Sequence, residues 1–171
     1  MNKQLYTESK GLSQPLPETS GQATHSAQHS DMDPTQRGLL QWKHCTRFAN
    51  QALRDHQLVL AEQGYLKALA YAEQLKAADQ TQDPHLAAFV ISVHNLADLA
   101  LQAGKLSQAR QWLHRAFTEL WQQAQQQPSA VLLPHLQVCR QELAFFCQTF
   151  GANPQSTALM QLPWPGLGPG H

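Results

Sequence analysis

Charge is what this chain most lacks. Only 14 % of its 171 residues are Asp, Glu, Lys or Arg, against ~25 % in a typical domain. Twelve acids balance twelve bases, so the formal charge is zero. That balance leaves no basic face for nucleic acid and no polybasic anchor for a membrane surface. Cysteine is scarce as well. Cys45, Cys139 and Cys147 are odd in number and contain no CxxC, which excludes a disulfide framework and the usual zinc patterns. No apolar run approaches the ~20 residues that cross a bilayer, and no apolar stretch follows Lys3 and Lys10 as it would in a leader. A reduced, cytoplasmic protein is the expectation. The sequence also has no HExxH motif and no Gly-rich loop between strand and helix, so neither a zinc hydrolase nor a phosphate cradle is indicated.

What replaces charge is glutamine, with 25 residues, more than all the charged residues together. The hydrophobic share of 42 % is enough for one core. Residues 1–36 carry Ser, Thr, Gln, Gly and Pro with scattered Leu5, Tyr6, Leu12 and Leu16 and no period, which predicts a mobile tail. Residues 163–171 hold Pro163, Pro165 and Pro169 with three glycines and read as a second tail, in which Trp164 is the one side chain able to dock. Between them, residues 37–162 form the domain.

Everything in that domain is helical by pattern. Phe89, Val93, Leu96, Ala97 and Ala100 recur at three and four, as do Leu106, Ala109, Leu113, Ala116 and Leu120. Leu58, Ala61, Tyr65, Ala68, Ala72 and Leu75 mark an earlier helix, and Leu136, Leu143, Phe146, Cys147 and Phe150 a later one. A first helix over about Leu39 to Leu53 points Phe48, Ala49 and Ala52 inward. Asp83-Pro84 predicts a capped helix start, and Gly104 and Gly151 predict left-handed helix ends.

The pattern also repeats. Leu96, Ala97, Ala100 and Gly104 return as Leu143, Ala144, Cys147 and Gly151 at a shift of 47. Phe48, Ala49 and Ala52 precede them by 48, and Leu58, Ala61, Tyr65 and Ala68 precede Leu106, Ala109, Leu113 and Ala116 by the same interval. Helical pairs at a fixed period are the mark of a solenoid. These residues resemble the tetratricopeptide repeat family over roughly residues 40–151, about two and a half units, with His56 standing at the first turn in place of glycine.

The resemblance implies an all-α, right-handed superhelix of antiparallel hairpins. Its concave face, lined by the first helix of each pair, would hold a peptide or protein segment. Carried over, that face comprises Arg47, Asn50 and Arg54, then Ile91, His94, Asn95 and Asp98, then Val138, Gln141, Glu142 and Phe145. Asn50 and Asn95 are the amides expected to pair with peptide backbone, and Ile91 and Phe145 the apolar floor. Thr46, Val138 and Glu142 stand where a carboxylate clamp would need cations, so a C-terminal carboxylate is not the expected ligand. A non-enzymatic interaction module follows, without cofactor or metal. The alternatives are a homodimer or larger homo-oligomer whose own chain fills the groove, and a metal-dependent enzyme built from the nine histidines across two subunits. Most of those histidines read as surface or groove residues, and the cysteines as small core residues.

Overall fold

A computed structural model describes residues 32–165. All the regular structure in that span is helical: α1 (Pro34–Arg54), α2 (Leu58–Ala78), α3 (Asp83–Gln102), α4 (Leu106–Gln126), α5 (Leu132–Phe150) and α6 (Pro154–Met160). Of the two expected tails, residues 1–31 and 166–171 lie outside the described residues, and the remainder corrects the start of the domain. α1 opens at Pro34, inside the supposed tail and before Leu39. Proline at the first helical position has its φ already set and no N–H to lose. At the other end Trp164 packs against the core and Pro165 is buried. The indole of Trp121 donates to the Pro163 carbonyl at 3.2 Å.

Short turns force the successive helices into antiparallel neighbours, α1 on α2, α2 on α3, α3 on α4 and α4 on α5. α1 also touches α3, and α3 touches α5, so the first helices of the pairs lie side by side. α6 closes the stack against α4 and α5. The core is a file of small residues, Ala49, Ala61, Ala68, Ala72, Ala97, Ala109 and Ala116, interleaved with Leu86, Phe89, Phe117, Leu120 and Leu136, all essentially inaccessible. Small side chains let helix axes approach, and the bulky ones fill the space between pairs. The closest approach is at Gly64, where a Cβ would lie 2.8 Å from the Ala49 Cβ and 3.2 Å from the Ala49 Cα.

The sequence period returns as repeated backbone geometry. At the end of α3, Gly104 (φ 71°) places its N–H on Leu101 O at 2.9 Å, while Lys105 donates to Ala100 O at 2.8 Å. At the end of α1, His56 (φ 57°) donates to Leu53 O at 3.0 Å and Gln57 to Ala52 O at 2.8 Å. These are the same paired bonds of a Schellman motif, 48 residues apart. The residues that follow, Gln57 and Lys105, have matching dihedrals of −91°, 68° and −93°, 66°. Gly151 differs: φ 84° with ψ 141° is an extended left-handed conformation rather than a helical cap.

Two further expectations need correction. Phe48 does not point inward. It is 49 % exposed, whereas its counterparts Leu96 and Leu143 are 2 % and 0 % exposed, because no helical pair precedes α1 among the described residues to cover it. Asp83 does not cap α3 but forms its first residue, and its Oδ1 lies 2.8 Å from His135 Nε2 on α5. Trp42 ties α1 to α3. Its indole donates to Ser92 Oγ on α3 at 2.9 Å, and that hydroxyl donates onward to Ala88 O at 2.7 Å.

Side chains tie α2 to α4 on the side opposite α1, α3 and α5. Glu119 accepts from Lys76 Nζ at 2.5 Å and from Arg115 Nε at 2.7 Å, and Arg115 also reaches Glu73. Lys76 Nζ sits 3.8 Å from the centre of the Phe89 ring. Burial pushes the Glu119 carboxyl up, but the donors Lys76 and Arg115 outweigh it and hold the group below its ordinary value. α3 alone among the described helices is long and apolar enough to cross a membrane. Most of it is covered by α2, α4, α1 and α5, as a core helix is.

A polar and aromatic groove along three helices

The residues expected to line the groove fall on one stripe of each first helix, because they occur at matching places in the repeat. Arg47 and Asn95 are equivalents at a shift of 48, as are Asn50 and Asp98, and Thr46 and His94. In that register Asn50 and Asn95 do not occupy corresponding places. Asn50 Oδ1 accepts from the Tyr65 hydroxyl at 2.6 Å, so one amide oxygen is already engaged by α2. Asn95 is half-buried, with no side-chain hydrogen bond among the described residues.

The structure brings His94, Asp98 and Phe145 together. With Ala97, Leu101, Leu113, Glu142, Phe146 and Phe150 they line a cleft of about 220 Å³ between α3 and α5. Phe145 is 65 % exposed at its edge and Phe150 is exposed beside it. Tyr65, buried beneath the next stretch of the stripe, links this cleft to α1. Burial raises its phenol above the ordinary value of 10.0, the Asp98 charge adds to the rise, and Arg54 opposes it. Arg54 itself donates to Gln51 Oε1 at 2.6 Å. Arg47 and Ile91 stand exposed on the stripe, and neither contributes to the cleft.

The electrostatics of the cleft are one-sided. Burial raises the Asp98 carboxyl above its ordinary value, and the neighbouring Glu142 charge raises it further. Burial also holds the His94 imidazole below its ordinary value, opposed by Glu142. Neither carboxylate has an ion-pair partner among the described residues. His94 Nε2 is sealed from solvent without a hydrogen-bond partner, as is the Thr46 hydroxyl at the equivalent place on α1. Arg110 lies 5.3 Å from the Phe146 ring centre and is tied to Gly151 O at 3.0 Å.

Other histidines do structural work rather than facing solvent or the groove. His114 is 6 % exposed, and its Nε2 lies 2.7 Å from the buried Ser156 hydroxyl, which docks α6 onto α4. His85 is buried with Nδ1 2.9 Å from Asp79 O. A lone Ser in a polar stretch gave no sign of this role. The Asn153-Pro154 start did, since Asn153 Oδ1 accepts from Ser156 N at 2.7 Å as a helix cap does. The three cysteines are free thiols, with Cys45 and Cys139 buried. Burial, with a smaller push from Glu142, raises the Cys139 thiol to about 12, which suits a packing residue and not a nucleophile. Among the described residues no group of three or more His, Cys, Asp or Glu is arranged to hold a metal ion.

No curated protein and no solved structure matches the chain. A family model, described as a protein of unknown function (DUF2753), matches residues 40–162, from the first turns of α1 to the residues after α6. The match takes in α1 from residue 40 and the whole of α2 to α6, and the chain belongs to the DUF2753 family.

Proposed function

We propose that the protein is a non-enzymatic interaction module that binds a peptide or protein segment along the face formed by α1, α3 and α5. The observation that carries this reading is the cleft between α3 and α5. Phe145 stands open to solvent beside two carboxylates that the fold leaves without counter-charges. A solvated helix face has little reason to expose two phenylalanines, Phe145 and Phe150, side by side with these acids, and exposed aromatics rimmed by polar groups are typical of interaction surfaces. The repeated turn at His56 and Gly104 favours kinship with the tetratricopeptide architecture and its right-handed superhelix. The free thiols accord with a reducing cytoplasmic setting.

Photo-crosslinking in the native cell tests the reading. A benzophenone side chain placed at Phe145 should capture one discrete partner, while the same group at the exposed Gln74 on α2 should not. Equal labelling from both places would refute a groove-directed partner.

A homo-oligomer is the second reading, and Phe48 favours it. This side chain is half-exposed at the α1 end of the stack, where its counterparts are covered. Light scattering should then give a dimer mass that Phe48→Glu halves. A monomer in the unsubstituted protein would end that reading.

A further inference from the structure

Resting on the groove reading, we propose that the cleft between α3 and α5 receives a single cationic side chain, lysine or arginine, of the bound segment. Its aliphatic stem lies along Phe145, Phe146 and Phe150, and its head sits between Asp98 and Glu142.

Size, chemistry and stability point the same way. The cleft's volume of about 220 Å³ is below the ~300–1,000 Å³ of most small-molecule pockets and suits one long side chain. Its charged lining is acidic throughout, because Asp98 and Glu142 supply acceptors and no Lys or Arg lines it. His94, held neutral by burial, adds no positive charge. The ligand must therefore bring the donors. Lysine and arginine bring them on apolar stems that cover hydrophobic surface, and their heads are attracted to aromatic faces. Phe146 already takes Arg110 on its ring, so an intramolecular cation occupies the same kind of contact beside the cleft. Two like charges that sense each other across a cleft cost stability in the free protein. A cation from outside relieves that cost on binding.

The probes are four pools of fluorescein-labelled nine-residue peptides, with the central residue fixed as Lys, Arg, Leu or Glu and the flanks randomised over uncharged residues. Binding to the full chain is read by fluorescence polarisation. The Lys and Arg pools should bind about tenfold tighter than the Glu pool, and D98N/E142Q should bring that ratio within about twofold. Thermal melting of D98N/E142Q should show no loss of stability, since neither side chain makes a hydrogen bond or ion pair among the described residues and their repulsion is removed. Should that double variant fold poorly, E142Q alone must shrink the preference, and F145S must weaken the Lys and Arg pools more than the Glu pool. Binding without charge preference overturns this inference and leaves the groove reading standing. A preference that survives D98N/E142Q also overturns it, since the cation would then be held elsewhere. No binding by any pool overturns both.

Discussion

His56 and Gly104 occupy the same turn with the same hydrogen bonds, and one has a side chain where the other has none. That pair gives a controlled measure of what the turn costs. An L-residue in the left-handed region loses ~1–2 kcal/mol to contact between its Cβ and the following carbonyl. Replacing glycine returns ~0.4–1 kcal/mol by narrowing the unfolded ensemble. At Gly104 no atom lies within 4 Å of where a Cβ would stand, so packing adds nothing to the balance. Gly104→Ala should then destabilise by about 1 kcal/mol, and His56→Gly should stabilise by about 0.5–1 kcal/mol. The His56 side chain is exposed and makes no hydrogen bond among the described residues, so little is lost with it. In urea, with a slope of ~2 kcal/mol per molar, the two midpoints should move by about 0.5 M and in opposite directions. The slopes should not change. A neutral Gly104→Ala, or a destabilising His56→Gly, would refute the equivalence of the two turns and the repeat built on it.

Three other perturbations are informative. Gly64→Ala would press a methyl against the Ala49 Cβ and Cα and should cost ~1–3 kcal/mol by urea denaturation, since the α1 backbone itself must yield. Ser156→Ala leaves the buried His114 imidazole without its partner and should cost ~1–3 kcal/mol, with faster amide exchange confined to α6 and the residues after it. Acid should weaken the fold through two imidazoles. Burial holds His94 and His114 below the usual 6.5, with Glu142 opposing at His94, Gln155 opposing at His114 and Arg110 reinforcing there. The unfolded chain therefore takes up protons first as the pH falls, so stability present above pH 6.5 is lost toward the lower folded values. Melting temperature should fall between about pH 7.5 and 5.5, and a flat profile would contradict the burial of both rings.

Much of the helical scaffold is legible in the sequence because apolar spacing and small-residue recurrence are local and periodic. The limits of α2, the Gly104 turn and the buried Ala49 and Ala97 all follow from that. The misses share a different cause. Phe48 has the residue type of a core position, yet what covers a position depends on whether another helix lies beyond it, and periodicity carries no information about the ends of a stack. Asp83 beside Pro84 satisfies the rule for a cap, but His135 on a distant helix offers it a better partner. His114 and Ser156 look like ordinary polar residues because their pairing spans 42 positions. His94, Asp98 and Phe145, carried over from the resemblance, line one cleft. Spacing reads both Tyr65 and Phe150 as core; Tyr65 is buried as expected, while Phe150 is exposed at the cleft, where no further helix covers it among the described residues.

The four charges that bind α2 to α4 act as a strut on the back of the stack. Each of those helices is joined by a tight turn to the inner helix before it, so the brace joins one hairpin to the next at their outer helices. One side of the brace meets solvent, where dissolved ions weaken it. Added salt should therefore loosen the tie between α2 and α4 while the apolar packing of the inner helices holds.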